Sequence, residues 1–124
     1  MKKISPINLN NKFSLFEEKW TPKIIAELNN QYVKLCKLQD DFVWHSHENE
    51  DELFMVVKGT LYIDFKFQKT VKINEGEIII IPKGVEHRPR TNGEIVFNLL
   101  FEPKTPLHTG NTKSKITVEK LKWI

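Results

Sequence analysis

The stretch that decides the fold runs Phe42-Val43-Trp44-His45-Ser46-His47-Glu48-Asn49-Glu50-Asp51-Glu52 and reaches a turn at Gly59. His45 and His47 stand at i and i+2, a spacing that on a β-strand points both imidazoles to one face. Val43 shares that face, with Phe42 and Trp44 on the other. Glu52 follows across an acidic turn and shares the parity of Phe54 and Val56. Further on, Gly76, Pro82-Lys83-Gly84 and His87 form a second turn that delivers a third imidazole. Hydrocarbon does not solvate such groups, so a buried face carrying them needs partners. Two readings follow. His45, His47, Glu52 and His87 hold a divalent first-row transition metal, or they form a hydrogen-bonded network among themselves. The metal reading is preferred, because a His pair followed by a carboxylate is hard to explain as satisfied core residues. Glu48, Glu50 and Asp51 read as a solvated loop.

Outward from this stretch the chain reads as short strands, with turn signals about every 8–12 residues, the rhythm of an all-β sandwich or barrel. Lys23 to Leu28 and Gln31 to Leu38 are β-capable runs joined by Asn29-Asn30, a link that suits a tight hairpin; a helix from Pro22 to Asn30 is the competing reading. Phe42 to His47, Leu53 to Val57, the alternating run from Leu61 to Phe67, Val71 to Ile73, Ile78 to Ile81 and Glu94 to Phe101 supply further strands. From Glu102 the chain reads as looser. Residues 1–20 are expected to be an arm, 21–110 the barrel and 111–124 a tail, in which Thr117 to Trp123 invites a short helix.

These residues resemble the cupins, small β-barrels of the jelly-roll class. The first cupin motif is His-x-His, three or four residues, Glu, six residues, Gly; His45, His47, Glu52 and Gly59 fit it. The second is Gly, five residues, Pro-x-Gly, two residues, His; Gly76, Pro82, Gly84 and His87 fit it. Two flanking positions depart from the pattern: Gln39 stands where the family usually has Gly, and Thr91 where it usually has Asn. The resemblance implies a single jelly-roll barrel with His45, His47, Glu52 and His87 as metal ligands, the ion being manganese, iron, zinc or nickel. The wider chain is similar to single-domain cupins often grouped with mannose-6-phosphate isomerase, a label of shared barrel motifs rather than activity. Small cupins commonly pair through sheet edges, so a homodimer is expected, with the segment from Ile4 to Trp20 as an arm packing on a neighbour.

A chain of 124 residues suits one domain. Its net charge of +3 is scattered, with only Arg88 and Arg90 as arginines, which argues against nucleic acid as a partner. The single cysteine, Cys36, excludes an intramolecular disulfide and reads as a small buried hydrophobe. No apolar run is long enough for a membrane helix, and the N-terminus lacks the apolar stretch of a signal peptide, so the expected location is the cytoplasm.

Four protein ligands leave an open position on a five- or six-coordinate ion, and one carboxylate leaves about one positive charge. A small anionic or polyhydroxy ligand bearing oxygen donors is therefore expected. Lys83, Arg88 and Arg90 follow the site in sequence, but strand parity opposes both arginines to His87. Asn98 interrupts an apolar strand and either meets a ligand or faces out. Tyr32, Trp44 and Phe54 are candidate pocket walls, though core is the commoner role; His108 reads as exposed. No catalytic residue is assigned. Three functions remain open: a metal-dependent oxygenase or isomerase/lyase, a metal-dependent binding or sensor module without turnover, and a metal-free binding barrel.

Overall fold

The computed structural model describes residues 3–104 and 120–124. Among the described residues, nine strands follow one short helix: α1 (Leu9–Phe13), β1 (Lys23–Leu28), β2 (Gln31–Leu38), β3 (Glu52–Lys58), β4 (Leu61–Phe65), β5 (Val71–Ile73), β6 (Ile78–Ile81), β7 (His87–Arg90), β8 (Val96–Pro103) and β9 (Lys122–Trp123). A six-stranded sheet, β6-β3-β8-β2-β1-β9, faces a three-stranded one, β5-β4-β7. This is the expected all-β jelly roll. Phe54, Val56, Val96 and Leu100 of the large sheet pack on Leu61, Ile63 and Ile73 of the small one.

Strand alternation sets what each face carries. On β8, Val96, Asn98, Leu100 and Glu102 are buried while the residues between them are half-buried. Gly59, at the crossing from β3 to β4, has φ +91°, and a Cβ there would lie 3.2 Å from both the Ile95 carbonyl and the Val96 side chain. Glycine alone relieves both constraints. The apolar run of β6 proves to be an edge strand, with Ile78 and Ile80 58% and 49% exposed.

Three expectations are corrected. Residues 42–47 do not form a continuous strand; isolated bridges join Asp41 to Arg90 and His45 to His87. Pro89 lies between them and has no N–H to donate, so the ladder is interrupted there. Phe42 consequently turns inward, where it is buried and stacks on Trp20. The N-terminal segment has partners in its own chain: Phe13 and Phe16 are buried with Ile25 and Leu35 on the outer face of the large sheet, and Trp20 joins the inner core, while Ile4, Ile7 and Leu15 stay exposed. At the C-terminus, Lys122 and Trp123 pair in parallel with Lys23 and Ile24, so the helix expected over Thr117 to Trp123 is replaced there by a strand; residues 117–119 lie outside the described residues. No helix among the described residues is long and apolar enough to cross a membrane.

Candidate metal centre

The two halves of the site are stitched together by backbone. His45 N donates to the His87 carbonyl at 3.0 Å and His87 N returns a bond to the His45 carbonyl at 2.9 Å. Gly84 N donates to the His47 carbonyl at 2.7 Å, from a turn whose φ of +80° suits glycine. Lys83 N donates to Asp51 Oδ1 at 2.9 Å, giving one member of the acidic loop a structural role. Glu52 is the first residue of β3, paired to Ile81, and its inward parity brings it to the histidines.

His45, His47, Glu52 and His87 are all buried, at 2, 4, 3 and 0% exposure. One ligand atom from each of His45, His47 and Glu52 lies within 4.8 Å of the others. Glu52 Oε1 is 3.4 Å from His47 Nε2 and 3.5 Å from His87 Nε2. The Nδ1 atoms of His45 and His87 each lie 2.9 Å from a carbonyl, that of Val43 and of Val85. With Nδ1–H donating there, each Nε2 presents its lone pair to the site. Both nitrogens of His47, Nε2 of His87 and Oε1 of Glu52 are buried without a hydrogen-bond partner. Uncompensated burial of such groups is costly; a cation among them would compensate it. The donor set therefore fits a divalent metal.

Electrostatics agree. Burial, then the neighbouring His87, push His45 down to about 4, leaving it neutral and able to ligate. Burial opposes a proton on His47, but Glu52 outweighs it and the pKa is raised. Burial likewise opposes charge on Glu52, yet His47 and His87 hold it well below the usual carboxylate range.

The cupin-domain family profile matches residues 34–103, more than half of the chain. The chain belongs to the cupin family. Among solved structures, this cupin is 46% identical to a cupin-2 domain-containing protein from Shewanella frigidimarina, with a TM-score of 0.76 over 79% of this chain and 94% of that one. It is 33% identical to protein NMB1881 from Neisseria meningitidis, with a TM-score of 0.73 over 81% and 100% of the two chains. The uncharacterized protein YdbB of Bacillus subtilis is 39% identical over 88 residues, 71% of this cupin and 77% of YdbB.

The other candidates sort clearly. Arg88 and Arg90 point away from the site, as parity indicated, and converge on Asp64 rather than on solvent. Lys83 is exposed. Trp44 lies beneath Lys66 and Arg88, and Tyr32 packs edge-on to Trp123. Phe54 does face the interior, where a cavity of about 30 Å³ lies among apolar side chains, His45, Glu52 and Asn98. That is room for about two water molecules. Asn98 faces inward, fully buried, with neither amide atom bonded. Cys36 lines the same cavity, and burial pushes its thiol up to about 12, so it is inert at neutral pH. His108 lies outside the described residues. An open groove of about 550 Å³ reaches Glu52 at the ends of β2, β3 and β8.

Sequence reasoning missed Lys34 and Glu102. Both are 1% exposed, and Lys34 Nζ donates to Glu102 Oε1 at 3.0 Å. The signal was there: Lys34 shares the parity of Cys36 and Leu38, and Glu102 that of Val96 and Leu100. Treating the chain as loose from Glu102 concealed it.

Proposed function

We propose that this cupin holds a divalent transition metal through His45, His47, Glu52 and His87 and binds a small hydroxylated, sugar- or acid-like molecule beside it. The observation that supports this reading is the set of buried, unpartnered ligand atoms on His47, Glu52 and His87, with two of the three imidazoles oriented by carbonyls. When bound, the ion would act as a Lewis acid on a ligand oxygen. The redirection of Arg88 and Arg90 to Asp64 removes them as anion binders and favours hydroxyl over purely anionic recognition. Elemental analysis of protein purified without added metal tests the centre. About one manganese, iron, zinc or nickel ion per chain is expected, and a metal-free, fully folded protein that takes up none of them on addition overturns it.

The small interior cavity supports a second reading, binding or sensing without turnover. Ligand-linked stabilisation without substrate loss or oxygen consumption selects it. We also propose a homodimer, now through β6, whose Ile78 and Ile80 leave an apolar edge in solvent. Sedimentation equilibrium should give twice the 14.6 kDa chain mass; a monomer at high concentration refutes it.

A further inference from the structure

The inward wall of β8 carries polar atoms that the metal centre does not use. Lys34 and Glu102 form an ion pair inside a barrel, where two hydrocarbon side chains would serve stability as well. Lys34 occupies Glu102 Oε1, while Oε2 is buried without a hydrogen-bond partner. The register of β3 on β8 pairs Leu53 with Phe101, so one step further Glu52 and Glu102 come side by side on the inward face. The charges of Glu52 and His47 both act on the Glu102 carboxyl. The unpartnered Oε2 calls for a donor: a hydroxyl can donate to it, whereas a keto oxygen or carboxylate only accepts.

The structure assigns Glu102, braced by Lys34, as a ligand-binding residue adjoining the metal centre, where Oε2 takes a hydroxyl of a polyhydroxy ligand beyond the oxygens that chelate the ion. This deepens the function proposed above and rests on it. The Gln31–Pro103 pair, next after Tyr32–Glu102 in the β2–β8 ladder, borders the open groove that reaches Glu52, so a ligand entering there passes this end of the wall.

The test compares lactate with glycerate on zinc-loaded protein by titration calorimetry. Both carry the same α-hydroxycarboxylate chelate, and glycerate adds one hydroxyl. Glycerate should bind about tenfold tighter, the worth of one hydrogen bond to a charged group. The Lys34→Met/Glu102→Leu double variant should keep its zinc and bind the two acids within about twofold of each other. Should it fail to fold, Glu102→Gln serves, and the preference should drop at least about threefold with loss of the charge. Lactate binding that is equal with and without zinc overturns the metal-centred reading, and this assignment with it. Lactate binding that needs zinc, but with no preference for glycerate, overturns the assignment alone. So does a preference that persists unchanged in the variants.

Discussion

Asp64 and Glu52 are both buried carboxylates, at 8% and 3% exposure, and their surroundings could hardly differ more. Asp64, on the small sheet, accepts from the Thr70 hydroxyl at 2.6 Å, from Arg88 Nη2 at 2.8 Å and from Arg90 Nε at 2.9 Å. Its lone pairs are filled by the chain itself. Glu52 has two imidazoles at 3.4 and 3.5 Å and an oxygen with no hydrogen bond. A carboxylate that serves the fold closes its hydrogen bonds; one that serves a ligand leaves them open. The candidate metal centre is marked by what is unfinished, not by where charge is densest.

The sharpest way to break the comparison is to remove a proposed ligand. His47→Ala should lower metal affinity by more than about 100-fold, beyond what supporting residues usually cost, and metal analysis after dialysis reads this directly. Full occupancy in that variant would place the ion elsewhere. Asp64→Asn should do the reverse. Stability should fall by about 1–3 kcal/mol, the cost of leaving buried donors unmatched, while metal content stays at the wild-type level. Denaturant titration and metal analysis on one sample separate the two outcomes.

Acid should undo the two carboxylate regions in sequence. Metal affinity should fall as pH drops below about 6.5, where protons compete for imidazole nitrogens. In the metal-free protein His45 has its pKa depressed to about 4. The unfolded chain binds that proton first, so stability falls as pH drops from about 6.5 toward 4. His45→Phe should flatten that window. Burial would raise Asp64, but Thr70, Arg88 and Arg90 hold it at about 2. Its contribution is present above the ordinary Asp value near ~4 and lost as pH falls through 2, a window Asp64→Asn should remove. The smallest expected effect is at Asn98. Its amide is buried without partners, so Asn98→Leu should leave the apoprotein unchanged or stabilise it by about 1 kcal/mol; a clear loss would reveal a structural partner for the amide.

Much of this was legible in the sequence, because turn glycines and the His-x-His spacing are local signals. Gly59 and Gly84 sit where the backbone needs positive φ, and Glu52 follows its strand's parity inward. What escaped was non-local. The interruption of the His45 segment arises from Pro89, more than forty residues away, and Phe42 turns inward with it. β9 exists only because β1 offers it an edge. The polarity of the β8 wall depends on a lysine and a glutamate 68 residues apart meeting inside the barrel, and neither residue type suggests burial by itself.

The stitching of His45 to His87 and of His47 to Gly84 has a thermodynamic consequence. Those backbone bonds close the loop between the two motifs without any ion, so its entropy is already lost when a metal arrives. Small zinc modules fold only on chelation and spend much of their binding free energy on ordering the chain. In the proposed centre that energy would stay with the coordination bonds. On the proposed reading, uptake would follow synthesis, and swapping one ion for another would not pass through an unfolded chain.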